Sequence, residues 1–174
     1  MSGKFRLNTN ELQSAGFWIS QLFIILATAL GVFLAANQGF KLAIEFDNIK
    51  SVENNYYLRK SLQSELASNV EYIREYISKV ERRIDKPELV LETFVWDSMT
   101  YSSSALETPP ALLKEAQMFY RRAREIMATP YYNNINKANF LRELAEHVEK
   151  NVLPQFEKNT RELKDWLKDK DKNV

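Results

Sequence analysis

The sequence predicts an all-α protein: one N-terminal transmembrane helix continuing into an elongated antiparallel helical bundle. Three observations carry this. Residues 17–36, FWISQLFIILATALGVFLAA, form an uncharged apolar run of 20 residues. At ~1.5 Å rise per residue, such a helix covers ~30 Å, the thickness of a bilayer core. Residues 41–84 then hold neither Pro nor Gly and place apolar side chains at gaps of three and four. Beyond them, Pro87, Pro109-Pro110 and Pro130 cut the chain into amphipathic segments.

Residues 1–16 are a short N-terminal segment. Asn8 and Glu11 have the spacing of a capping box, which predicts a helix start near Thr9. The span itself is assigned to residues 17–40, inside an uncharged run from Leu12 to Phe40. A cleaved signal peptide has a shorter apolar core, ~7–15 residues, and a small-x-small cleavage site. Ala35-Ala36-Asn37 is a poor cleavage context, so the run reads as an uncleaved signal anchor. Lys4 and Arg6 precede it, and Lys41 and Lys50 follow among Glu45, Asp47 and Glu53. This slight bias predicts the N-terminus inside and the C-terminal domain outside, in a bacterial periplasm. Ala27, Gly31, Ala35 and Gly39 recur every four residues, a small-xxx-small row suited to close helix packing. Gln21 and Thr28 add polar groups at depth, and Trp18 suits an interface anchor.

Residues 41–168 are assigned to the extramembrane bundle, and 169–174 to a charged tail. The seam of the first helix is Leu58, Leu62, Leu66, Val70, Ile73, Ile77, Val80 and Ile84. Its opposite, solvated face is assigned Arg59, Lys60, Glu65, Glu71, Arg74, Glu75 and Lys79. With only Asn37-Gln38-Gly39 between them, span and seam read as one long rod. Asp85-Lys86-Pro87 is expected to end that helix. Residues 88–99 read as a short helix containing Phe94, Val95 and Trp96, since no second strand candidate exists to pair with them. Residues 101–104 read as a loop. Thr108 is expected to cap a helix reaching Ala128, with Leu112, Leu113, Ala116, Phe119, Tyr120, Ala123, Ile126 and Met127 inward. After a turn at residues 129–134, the last helix is expected near Asn136, with Phe140, Leu141, Leu144, Val148, Val152 and Phe156 inward, and a kink at Pro154.

Composition narrows the functional classes. The chain has 24 Lys and Arg against 23 Asp and Glu, one His, no Cys and four Gly. A balanced charge argues against nucleic acid as partner. Absent Cys excludes thiol catalysis and Cys-ligated zinc, and a single His excludes multi-His metal sites. Four Gly leave no Gly-rich phosphate loop. Glu143 and His147 lie at i, i+4, the wrong spacing for a bundle di-iron motif, which also needs two His. No nucleophile-elbow motif accompanies any Ser. Arg121, Arg122 and Arg124 form a small basic cluster that reads chiefly as a solvated face and otherwise as a dock for an anion. Trp96 is expected to plug one end of the bundle.

The membrane run followed by Tyr57-Leu58, Leu62, Glu65-Leu66 and Asn69, then Trp96-Asp97 and Phe119-Tyr120, resembles small single-pass bacterial membrane proteins of unknown function. The likeness covers residues 17–127. It implies a membrane-anchored helical protein without known catalysis, and it transfers no functional residues.

These readings converge on a non-enzymatic accessory or scaffold subunit of the cell inner membrane. Its partners are the lipid bilayer and another membrane protein or a second copy of itself. The candidate packing face is Ala27, Gly31, Ala35 and Gly39, with no cofactor and no metal. The alternative is an extracytoplasmic ligand-sensing bundle. Against it, such receptors usually carry a second span or a cytoplasmic output domain, and residues 1–16 are too short to be one.

Overall fold

The computed structural model describes residues 15–84, 87–102 and 104–171. Among them there are six α-helices, one π turn and no strand. In order they are α1 (Ala15–Glu81), α2 (Phe94–Thr100), α3 (Ser104–Glu107), α4 (Pro110–Ala128), α5 (Asn134–His147), the π turn (Val148–Val152) and α6 (Leu153–Asp171). The chain divides into two compact units between Asn48 and Ile49. The Asn8–Glu11 box, the Lys4 and Arg6 flank, Asp85-Lys86 and the last three residues of the tail lie outside the described residues.

In the first unit every described residue belongs to α1, and every side chain from Trp18 to Asn48 is exposed. Phe17 alone is half-buried, with Trp18 edge-on to it at 5.8 Å. This helix has one apolar run long enough to cross a membrane, and none of that run is buried within the protein.

The second unit owns a core. The α1 seam supplies Leu62, Leu66, Val70, Ile73 and Ile77, all buried as their spacing predicts. Leu112, Ala116, Phe119, Tyr120 and Ala123 of α4 join them, with Leu141, Leu144 and Ala145 of α5, then Val148, Val152 and Phe156. Leu58 and Val80 are half-buried at the seam's two ends, while Ile84 lies past the helix end and is exposed. Phe140, expected inward, is also exposed. It sits ~100° around the helix from Leu141, and it pairs with Tyr132 at 5.0 Å.

Several boundaries move for identifiable reasons. α1 stops at Glu81, well before Pro87. Ile84 N–H donates to the Lys79 carbonyl and Arg83 N–H to the Val80 carbonyl, both at 3.0 Å. That pair of bonds is a Schellman motif, with Arg83 (φ 60°) in the left-handed position that Gly usually fills. Residues 88–93 are not helical, so the segment expected over 88–99 contracts to α2. The expected loop at 101–104 leads into a short helix, α3. Thr108 is buried, and the N-cap of α4 is Pro109, one residue later than expected; Pro110 at N1 has no N–H that needs an acceptor. α5 begins at Asn134, two residues early, because the Asn133 side chain accepts from Asn136 N–H at 2.8 Å. At Pro154 the chain stays helical. The turn widens just before it, where Leu153 N–H reaches back to the Val148 carbonyl. A π turn of this kind makes room for a ring that cannot donate.

Candidate functional site

Three features of the described residues carry chemistry beyond ordinary core packing. The first is the apolar stretch of α1. Phe23, Ile25, Val32, Phe33 and Phe40 are each about two-thirds exposed. Ala27, Gly31, Ala35 and Gly39 share one face, and a side chain placed at Gly31 or Gly39 would meet nothing within 4 Å. Among the described residues no contact accounts for the small size of Gly31 and Gly39.

The second is a buried polar node. The Glu65 carboxylate accepts from Val95 N–H at 2.6 Å, Trp96 N–H at 3.1 Å and the Tyr120 hydroxyl at 2.5 Å. Val95 and Trp96 are the second and third residues of α2, whose own N-cap, Thr93, makes no side-chain cap bond. Glu65 therefore supplies from α1 the acceptor that α2 lacks, and its negative charge suits a helix N-terminus. One helical turn on, Asn69 accepts from Glu92 N–H and donates to the Glu92 carbonyl, both at 2.7 Å. Its amide also reaches the Tyr120 hydroxyl at 3.4 Å. Trp96 stacks on Tyr120 with centroids 5.3 Å apart. Burial, then the bond to Glu65, pushes the Tyr120 phenol well above its ordinary pKa, so it stays a donor.

A related clamp involves Arg59, which is buried. It donates to the Asn159 side chain of α6 at 2.8 Å and to the Glu107 carbonyl that ends α3. Ser51 and Asn55 donate to the Glu107 carboxylate. Burial lowers the Arg59 pKa and Glu107 opposes that shift. An arginine nevertheless remains charged.

The third is an open cleft of about 430 Å³ between α4 and α5. Ile126 and Leu144 line its apolar part, the Tyr132–Phe140 pair one side, and Arg122, Glu125, Glu143 and His147 its charged rim. His147 is held by its neighbours. Asn151 Nδ2 meets its Nδ1 at 3.1 Å, and its Nε2 meets Glu115 at 3.1 Å.

No family profile, curated protein or solved structure matches this chain.

Ala27, Gly31, Ala35 and Gly39 are all exposed residues of α1. Arg59 and Glu65, placed on the solvated side of α1, are buried, 5% exposed each. The helix buries a wider arc than one seam because segments 92–96, 107 and 120 pack alongside it. A signal existed: Leu62, Glu65, Asn69, Tyr72 and Tyr76 keep gaps of three and four beside the leucine row. Trp96 contributes to the node by stacking on Tyr120. Of the basic cluster, Arg121 sits 3.7 Å from Glu125, Arg122 lines the cleft and Arg124 lines a separate apolar groove. Among the described residues no group of three or more His, Cys, Asp or Glu is arranged to hold a metal ion.

Proposed function

We propose that this protein is a non-enzymatic, single-pass accessory or scaffold subunit of a bacterial inner membrane. Residues 17–40 are the span, the N-terminus is cytoplasmic, and residues 41–168 form an antiparallel bundle on the periplasmic side. The reading keeps the chain beside the small single-pass bacterial membrane proteins it resembles. One observation carries it: from Trp18 through residue 40 every side chain of α1 is exposed, with no cover among the described residues. Water disfavours such a surface by roughly 25 cal/mol per Å², so a non-aqueous medium or a partner must cover it. The row Ala27, Gly31, Ala35 and Gly39 is the proposed contact with another membrane helix, because small side chains let backbones approach closely in lipid.

The test pairs two substitutions one residue apart. Gly31→Leu fills the small row, whereas Val32→Leu points ~100° away. Gly31→Leu should release a co-purifying membrane protein or abolish self-crosslinking in mild detergent, while Val32→Leu leaves both intact. Equal behaviour of the two variants contradicts the packing face. Orientation is read separately from phosphatase and fluorescent-protein fusions after Val174. Phosphatase activity without cytoplasmic fluorescence is expected, and the reverse pattern inverts the topology. The ligand-sensing alternative draws on a different feature, the cleft between α4 and α5.

A further inference from the structure

We infer that the cleft between α4 and α5 binds a small zwitterion bearing an apolar or aromatic side chain, that is, a free α-amino acid. The inference uses only the second unit and is independent of the scaffold reading.

Charge decides the class of ligand. Arg122 lies on the α4 rim and Glu143 on the α5 rim of the same cleft. Neither makes a hydrogen bond or ion pair among the described residues, and they do not pair with each other. The other rim charges are engaged: Glu125 lies 3.7 Å from Arg121, and His147 is held by Glu115 and Asn151. Two exposed groups of opposite sign, neither paired among the described residues, thus line one cleft. A guanidinium suits a carboxylate, which it can bond with two N–H groups, and the Glu143 carboxylate suits an ammonium. A simple anion would leave Glu143 unmet, and a simple cation would leave Arg122 unmet.

Shape decides the side chain. Ile126 and Leu144 form the apolar lining, and the Tyr132–Phe140 pair stands beside it with rings 5.0 Å apart. Phe140, 41% exposed, stands one helical turn from Leu144 on the cleft side of α5 and lies outside the buried core. A space of about 430 Å³ is ample for one amino acid and falls within the range of small-molecule sites. Because the cleft is open and the ligand small, the dissociation constant should be on the order of a millimolar.

The test uses the full chain in mild detergent with L-phenylalanine as probe, read by ligand-observed NMR titration. 3-Phenylpropionate lacks the ammonium and phenethylamine lacks the carboxylate. L-phenylalanine should saturate, and each analogue should bind about ten-fold more weakly or less. Arg122→Gln and Glu143→Gln should each weaken L-phenylalanine by about ten-fold, with the helical circular dichroism of the parent retained. Glu143→Gln should narrow the gap to 3-phenylpropionate, and Arg161→Gln, on α6, should change nothing. Absence of saturable L-phenylalanine binding overturns the inference. So does equal affinity for either singly charged analogue, a result that needs no variant. Indifference of L-phenylalanine to both rim substitutions overturns it as well.

Discussion

Residues 18–48 and residues 49–171 obey opposite rules. In the first stretch phenylalanines and isoleucines stand exposed among the described residues. In the second, even charged and amide side chains are buried: Arg59, Glu65 and Asn69 are at most 5% exposed, and each is held by hydrogen bonds. The contrast separates two sources of order. The second unit accounts for most of its own composition, because its buried polar side chains find partners inside the fold, with the Asn55 Oδ1 and Arg59 Nε atoms as exceptions. In the first, no contact among the described residues explains the exposed apolar side chains.

The largest expected effect tests that separation directly. Phe119 is buried in the core and Phe33 is exposed on the apolar helix. Phe119→Ala should lower unfolding stability by about 3–5 kcal/mol in denaturant titrations of the detergent-solubilised protein. Phe33→Ala should change it by less than about 0.5 kcal/mol. Comparable losses from both would mean that the first stretch is part of the folded core after all.

Next comes the polar node. Glu65→Ala removes the acceptor of two α2 amides and the Tyr120 hydroxyl. It should cost about 3 kcal/mol, since donors left buried lose more than a bond is worth. Hydrogen exchange at the Val95 and Trp96 amides should quicken before that of the α4 core. Unchanged protection there would show that Glu65 does not hold α2.

Alkaline pH gives a third, smaller comparison. The folded state raises the Tyr120 pKa above its ordinary value near 10.0. Its contribution is therefore complete below pH ~10 and is lost as pH rises above that value, with a slope of at most about 1.4 kcal/mol per pH unit. Tyr120→Phe should cost about 1–2 kcal/mol at neutral pH and flatten the alkaline slope. An identical slope in both proteins would contradict this assignment.

The smallest effect is a gain. Arg83 holds φ 60° at the end of α1. Arg83→Gly should stabilise the protein by about 1 kcal/mol, because only Gly adopts that region freely. A loss would mean that the Arg83 side chain matters more than its backbone.

What was legible in the sequence follows the same division. The apolar run and the leucine seam are periodic, and a single sequence shows periodicity directly. The α4 inward face was legible for the same reason. The node was not, because Glu65 and Arg59 look like ordinary solvated charges until residues 92–96 and 107 arrive from far along the chain. The Schellman stop was hidden because Arg, not Gly, occupies it, and Pro87 offered a nearer explanation. The π turn was foreshadowed by Pro154, but a widened turn and a kink begin from the same residue. Arg122 and Glu143 could each be seen as charged surface residues, and only the packing of α4 on α5 sets them around one cleft.

The central claim is that the exposed apolar stretch of α1 lies in a membrane. Its most direct test is alkaline carbonate extraction of membranes carrying the full chain, with intact mass and N-terminal sequence read on each fraction. The account predicts the uncleaved protein in the membrane pellet. Release into the supernatant, or a mature N-terminus beginning after Ala36, would contradict it.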